Sequence, residues 1–388
     1  MSENNVLTRS AWLEVDLDQL IQNYRNIQKH VRNNANLMAV VKADAYGHGS
    51  RHVVEALKEN GVHCFAVATL SEARYIKKHA PDVSILILGV TPDYLLETAI
   101  EEGFKLTVSA REQGLLMAQI AQKKQCQAII HIKLDTGMGR LGFPPDTETE
   151  NTLLALSRMP NIALEGIFTH FADSEVNYPY TRRQADQFTR FAQKLESLGI
   201  HIPIRHVCNS AAIIQFPEYN FDMVRAGIIL YGIDPTPSGN PVGLKHIGAL
   251  KAQVSHVRIL NPGDYVGYGL TFQAKKETLT AIVPIGYADG YSRHLSNHGH
   301  GLIHGKRVPI IGRIAMDQMV LDVTGLPVAI GDEVVLLGRQ GTQEITICEI
   351  AEKTGEICAS IMVSLSKRLP RVYIKDGKIY QVLDYLLT

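Results

Sequence analysis

Eight short runs of β-branched and apolar residues, each followed by a helix-length amphipathic stretch, fill the first two-thirds of this chain and leave few folds open to it. The runs are LMAVVK (37–42), CFAVAT (64–69), ILILG (85–89), KLTVS (105–109), IIHIKLD (129–135), LEGIFTH (164–170), IRHVCN (204–209) and MVRAGII (223–229). Between them lie patterns such as RHVVEALKEN, DYLLETAIEEG and RRQADQFTRFAQKLESLG. Each strand–helix unit spans roughly 25–40 residues, the scale of a right-handed crossover between parallel strands. About eight such units in succession predict a closed (β/α)8 barrel in preference to an open doubly wound sheet. The open sheet also lacks its usual mark, because no G-x-G-x-x-G follows the first strand.

Near residue 235 the pattern changes. DPTPSGNPVG (234–243) is a Pro/Gly-rich break, and beyond it short alternating segments are punctuated by NPGD, NHGHG and KDGK turns. This predicts a barrel domain over residues 1–240 and a mostly-β domain over 241–388, with the first few residues free to join the second.

In a (β/α)8 barrel, chemistry sits at the C-terminal ends of the strands. Those ends carry Lys42, Lys133 with Asp135, His170, Asn209 with Ser210, and Arg225 with Gly227. In IIHIKLD the two-residue period puts His131, Lys133 and Asp135 on one face and Ile130, Ile132 and Leu134 on the other. Taken singly, each has an ordinary explanation: a lysine at a strand end usually reaches for water, and a lone histidine is usually a bonded core residue. As a set they exceed what packing needs. A buried lysine beside other cations can shed its proton and attack carbonyls. The aldehyde cofactor that exploits such a lysine is pyridoxal 5'-phosphate (PLP). NSAA (209–212) and RAGI (225–228) offer small donors and backbone N–H groups for its phosphate.

Other classes of function find little support. Lys+Arg and Asp+Glu balance at 39 each, so nothing favours nucleic acid or an anionic membrane. No apolar run is long enough to span a bilayer, and the opening MSENNVLTRSAW lacks a signal-peptide core. The five scattered cysteines contain no CxxC, which suits free thiols in a reducing cytoplasm. His298, His300 and His304 sit around a glycine-rich turn and predict no metal site. GMGRLG (137–142) lacks the Lys-Ser/Thr of a nucleotide loop.

Several segments together give the chain a closer likeness. AVVKADAYGHG (39–49), KLDTGMGRLG (133–142), EGIFTHFA (165–172), CNSAA (208–212), DMVRAGI (222–228), GYGLTF (267–272), PIGYADGY (284–291) and GRIAMDQ (312–318) occur in one order, nearly end to end. In these segments the sequence resembles the bacterial alanine racemases, PLP enzymes of fold-type III. The resemblance implies that Lys42 holds PLP as a Schiff base and then acts as a base on one face of the substrate. It implies that Tyr268 is the base on the opposite face, contributed across a homodimer. His170 and Arg225 then resemble the hydrogen-bonded chain that assists the tyrosine, and Arg225 faces the pyridine nitrogen. Tyr46, Asn209, Ser210, Gly227 and Ile228 resemble cofactor contacts, mostly to the phosphate. Arg140 and the Met316 backbone N–H resemble the grip on the substrate carboxylate. Lys133 matches a position that is carbamylated by CO2 in many members, the alternative being an unmodified lysine paired with Asp135. The implied function is interconversion of L- and D-alanine, supplying D-alanine for peptidoglycan in the cytoplasm.

The chain departs from the family pattern in two places. Ala315 stands where many members have cysteine. Near the C-terminus, EICASIMVSLSKRLPR (356–371) puts Cys358, Ala359 and Ser360 at a usual Asn-Tyr-Glu, and Lys367 where a phosphate-contacting tyrosine stands. One extra hydroxyl is poorly discriminated in an apolar site, so serine or a wider amino-acid range is the alternative substrate class. A PLP decarboxylase of the same architecture would need neither Tyr268 nor KLDTGMGR.

Overall fold

The computed structural model describes residues 7–387. Contacts divide the chain into two compact units: Leu20–Ala45 with Ser50–Lys245, and Met1–Gln19 with Tyr46–Gly49 and His246–Thr388.

The first unit is the α/β unit. In chain order, after β1 (Ala11–Asp16), its strands are β2 (Asn36–Val40), β3 (Cys64–Val67), β4 (Ser84–Ile87), β5 (Lys105–Val108), β6 (Ala128–Lys133), β7 (Ile162–Phe168), β8 (Ile204–His206) and β9 (Met223–Ala226). All pair in parallel, in the order β8-β7-β6-β5-β4-β3-β2-β9. The two terminal strands approach each other through Arg225 N–H to Cys208 O at 3.0 Å and Asp222 N–H to Arg205 O at 3.2 Å, which nearly closes the barrel. Strands covered on both faces need apolar side chains throughout, and Phe65, Ala66, Val67, Leu106, Ile130 and Ile132 are wholly buried. All eight runs seen in the sequence form strands. Several end sooner than their apolar pattern, so Lys42, Asp135, His170, Asn209, Ser210 and Gly227 lie just past strand ends, Ser210 opening a short helix, while Lys133 and Arg225 remain within β6 and β9.

The second unit contains β1 and β10 (Gly248–Gln253), β11 (His256–Leu260), β12 (Thr278–Val283), β13 (His300–Ile303), β14 (Lys306–Ile311), β15 (Met319–Asp322), β16 (Glu333–Gln340), β17 (Gln343–Ile345), β18 (Arg371–Lys375) and β19 (Lys378–Leu383). They run β11-β12-β15-β14-β13-β16-β10-β1-β18-β19, with β17 added on β16. The pairing is antiparallel except β1 with β18. Trp12 of β1 packs with Val372 and Val382, which explains why the first strand of the chain belongs to this unit. His304 pairs with Asp332 at 3.1 Å, and His300 Nδ1 lies 3.2 Å from Lys353 Nζ. Among the described residues no helix is long and apolar enough to cross a membrane.

The segment Tyr46–Gly49 groups with the β-rich unit although it follows a barrel strand, a membership that linear sequence patterning does not reveal. Its backbone carbonyls explain why. Arg371, 1% exposed, donates to Gly47 O from Nε and Nη2 at 3.1 and 2.9 Å. The same guanidinium serves Leu365, Ser366 and Leu369 carbonyls at 2.8, 2.6 and 2.6 Å, and Tyr373 Oη donates to His48 O at 3.0 Å. Arg371→Leu would leave four carbonyls short of a donor, and the expected cost is about 3 kcal/mol or more. A marked fall in the thermal unfolding midpoint of the variant is the corresponding measurement.

Candidate active site

Lys42 opens an unusual stretch of backbone. Val41 still bonds to β3, its N–H reaching Ala66 O at 2.9 Å. After Lys42, Ala43, Asp44, Ala45 and Tyr46 all take positive φ, at 52°, 55°, 54° and 53°. They form one turn of left-handed helix, with Ala45 N–H bonded to Val41 O at 2.9 Å. For L-residues this conformation costs about 1–2 kcal/mol each. Side chains hold it in place. Glu72 Oε1 accepts the Ala43 N–H at 2.7 Å, while its Oε2 accepts from Ala68 and Thr69 as half of a capping box on the helix Leu70–His79. Asp44 Oδ1 accepts Ser50 N–H and Oγ–H at 2.7 and 3.0 Å. Burial lowers the proton affinity of Lys42, and nearby Arg140 and Arg225 lower it further against the opposing pull of Glu72.

Arg225 gathers the strand ends around itself. Nη1 donates to His206 O at 2.7 Å and His206 Nδ1 at 3.1 Å. Nη2 donates to Thr169 O, Val207 O and His170 Nδ1 at 2.9, 3.1 and 3.2 Å. Among the described residues its Nε–H has no acceptor. Burial pulls the guanidinium down to about 10, which leaves it charged at neutral pH. Burial and the surrounding cations, Arg225 foremost, hold His170 well below the usual histidine range, so its imidazole is neutral. With Nδ1 accepting, the His170 proton resides on Nε2.

Lys133 is buried in β6, with Nζ bonded to Leu134 O at 2.7 Å and Leu141 O at 3.2 Å. Burial, then Arg225, brings it down to about 8. The Asp135 carboxylate is engaged elsewhere: its Oδ1 accepts the N–H groups of Gly137, Met138 and Gly139 at 2.9, 2.8 and 3.1 Å. This turn carries the exposed Arg140. Gly142 closes it with φ at 128°, where a Cβ would lie 2.7 Å from the Asp135 amide nitrogen.

A second cluster forms where β8 and β9 end. Asn209 Oδ1 caps the helix Ser210–Gln215 through Ala212 N–H at 3.0 Å and accepts Ser174 Oγ–H at 2.8 Å. Ser210 Oγ accepts Gly227 N–H at 3.1 Å. Among the described residues the N–H groups of Ser210, Ala211 and Ile228 have no acceptor. Converging free backbone N–H groups suit an anion.

The α/β unit thus gathers Lys42, Lys133, Arg140, His170, Asn209, Ser210, Arg225, Gly227 and Ile228. The family model for the alanine racemase N-terminal domain matches residues 15–235, and that for the C-terminal domain matches 247–373. The chain belongs to the alanine racemase family. The alanine racemase of Clostridium tetani is 43% identical over 383 residues, covering 97% of this chain and 99% of that protein. The solved alanine racemase of Clostridium difficile 630 superposes with a TM-score of 0.94 at 36% identity, over 98% of this chain and 100% of that one. A Bartonella henselae alanine racemase solved with covalently bound pyridoxal phosphate gives a TM-score of 0.83 at 31% identity, over 94% and 99%. Alanine racemases are isomerases, and this chain is an enzyme of that class.

The remaining predicted residues lie in the β-rich unit. Burial raises the Tyr46 hydroxyl to about 12. Tyr268 is 70% exposed on a tight turn and Met316 is 52% exposed. The Met316 carbonyl accepts Ala288 N–H at 3.0 Å, while its own N–H has no acceptor among the described residues. Sequence reasoning missed Glu72, which looks like a plain helix-capping residue, and His206, which the two-residue period of IRHVCN places on one face with Ile204 and Cys208.

The left-handed turn makes a direct prediction. Ala43→Val puts a β-branched residue at positive φ, with an expected loss of about 2 kcal/mol or more, whereas Ala43→Gly should stay within about 1 kcal/mol of the parent. Thermal unfolding of both variants separates these outcomes.

Proposed function

We propose that this chain interconverts L- and D-alanine with PLP, using Lys42 and the partner's Tyr268 as bases on opposite faces of the substrate. D-alanine for peptidoglycan, made in the cytoplasm by a homodimer, is the corresponding role. The observation that carries the reading is Lys42 itself, set at the start of a left-handed turn where burial first, and the charges of Arg140 and Arg225 with it, favour its neutral, nucleophilic form.

The residues suit the cofactor. Lys42 supplies the amine, Arg225 has a buried Nε–H free for a ring nitrogen, and Ser210, Ala211 and Ile228 offer N–H groups to a phosphate. When bound, PLP supplies the electron sink that makes the substrate α-proton acidic. Lys42 then removes or returns that proton on one face. Tyr268 does the same on the other, which racemisation requires because the proton must leave one face and return to its opposite. A phenol of ordinary pKa near 10 needs assistance at neutral pH. His170, with its proton on Nε2 and Arg225 behind it, is built to donate to the phenolate. Arg225 stays charged and donates to the ring nitrogen without giving up its proton, so it restrains the electron sink. Arg140 and the Met316 N–H bind the substrate carboxylate.

Lys133 as a carbamate would turn a buried cation into an anion that orients Arg140. The neutral amine attacks the carbon of CO2 and loses one proton, so the lowered pKa of about 8 favours the reaction. At fixed dissolved CO2, carbamate formation at Lys133 should rise about tenfold per pH unit below 8 and level off above it. Mass spectrometry after trapping the carbamate reads that rate. While Lys133 is unmodified, its folded pKa lies below the unfolded value, so stability should rise as pH climbs from about 8 to about 10.5.

The PLP-loaded enzyme should racemise L-alanine rapidly and L-serine slowly, with both enantiomers resolved by chiral chromatography. Comparable serine turnover would move the assignment to a serine or broad-range racemase. Lys42→Ala should abolish both reactions. Tyr268→Phe should lose inversion yet, in D2O, still exchange the α-proton of one enantiomer. Exchange and inversion surviving together would remove Tyr268 from the mechanism.

A further inference from the structure

A polar chain runs through the barrel interior behind Arg225, and the chemistry above does not use it. His206 Nδ1 accepts from Arg225 Nη1 at 3.1 Å, so the proton of a neutral His206 resides on Nε2. That Nε2 lies 2.9 Å from His131 Nδ1, which leaves the His131 proton on Nε2 as well. His131 Nε2 lies 2.8 Å from Glu165 Oε2, and Lys105 Nζ bonds the same oxygen at 2.5 Å. Each ring donates once and accepts once, and every donor between Arg225 and Glu165 points toward the carboxylate. Lys105 is the first residue of β5, whereas Thr169 and Val207, which also bind Arg225, follow the C-terminal ends of β7 and β8. The chain therefore traverses the barrel from one end of its strands toward the other.

Two features show that this path is built. His131 and Gly166 are register partners between β6 and β7, at a point where the register shifts. A Cβ on Gly166 would lie 2.2 Å from His131 Nδ1, so the glycine makes room for the ring. Phe168 stacks on His206 with centroids 4.7 Å apart and planes 7° from parallel, which fixes the plane of the second ring. Both imidazoles are wholly buried. Burial holds both below the usual histidine range; Glu165 opposes it at His131, while Arg225 and Lys105 act with it on both rings and Lys133 on His206. Burial alone would raise Glu165, but the bonds from His131 and Lys105 bring it down to about 2.

We infer that Glu165, His131 and His206 are positioning residues, which hold the Arg225 guanidinium in one orientation through a hydrogen-bonded path anchored at the Glu165–Lys105 ion pair. Among the described residues, all the groups bonded to Arg225 itself are neutral, namely three carbonyls and two imidazoles. Glu165 is the carboxylate that this hydrogen-bonded path reaches. Fixing the guanidinium aims its Nε–H, so the catalytic consequence rests on the proposed role of Arg225 at the cofactor ring.

The test begins with cofactor-free full-length protein carrying isotope-labelled histidine and arginine. His131 and His206 should each give one neutral tautomer with the proton on Nε2 across the neutral pH range, and Arg225 should show resolved Nη signals from hindered rotation. Glu165→Leu removes the acceptor of the His131 Nε2–H, and should shift the Nε2–H signals of His131 and His206 upfield and merge the Nη signals. Glu165→Gln keeps an acceptor for His131 and should restore both. In the PLP-loaded enzyme, Glu165→Leu should lower kcat about tenfold with KM for alanine within about twofold, and Glu165→Gln should recover most of it. Charged or mixed-tautomer rings in the parent protein would overturn the chain, as would Glu165→Leu spectra identical to the parent. Unchanged kcat in Glu165→Leu alongside altered Nε2–H signals would overturn the positioning role. A parent protein that shows the expected tautomers but racemises neither amino acid would refute the proposed reaction and leave the chain in place.

Discussion

The α/β unit is organised around one buried cation. Arg225 takes the place of an apolar layer in the upper barrel, and a charge there is tolerable only if its N–H groups are bonded. Three strand-end carbonyls and two imidazoles perform that service, each from a residue that the barrel delivers to the same end of the sheet. The positive field of Arg225 then acts on its surroundings. It contributes to the lowered proton affinity of Lys42, Lys133, His170 and His206, acting in the same sense as burial at all four.

Strain at Lys42 complements this electrostatic arrangement. Four successive left-handed residues are costly, and they persist because Glu72, Asp44 and Ser50 satisfy the turn from several directions. Glu72 links the turn to the helix that follows β3, since the carboxylate that caps that helix also receives Ala43 N–H. An ordinary right-handed turn would give the chain after Lys42 a different direction. The strain therefore has a use: it sets where Lys42 begins and where the chain goes next.

Much of this was legible in the sequence, for identifiable reasons. The eight barrel strands announce themselves because a strand buried on both faces must be apolar throughout. The polar residues at their ends stand out against that background, and His131 and Lys133 were placed on one face by a simple period of two. The left-handed turn was hidden, since ADAY carries no glycine until Gly47 to signal positive φ. The membership of Tyr46–Gly49 was hidden too, because it depends on Arg371 and Tyr373, over 300 residues away in sequence. His206 escaped notice because one histidine in a strand is unremarkable until β6, two strands along the sheet, supplies another inside the barrel.

The imidazole chain also suggests why, among the described residues, no carboxylate touches Arg225 directly. A carboxylate in bidentate contact would satisfy the guanidinium well, yet it would compete for the N–H assigned above, as a proposal, to the cofactor ring and would cancel the field acting on Lys42 and Lys133. With the carboxylate three hydrogen bonds away, the arginine keeps its positive field and, among the described residues, an Nε–H without an acceptor. Neutral imidazoles are suited to the interval, since each accepts on one nitrogen and donates from the other and so passes polarisation along without a net charge of its own. The arrangement costs the barrel two apolar core positions and a strand glycine, a sacrifice of packing that a purely structural interior would have no reason to make.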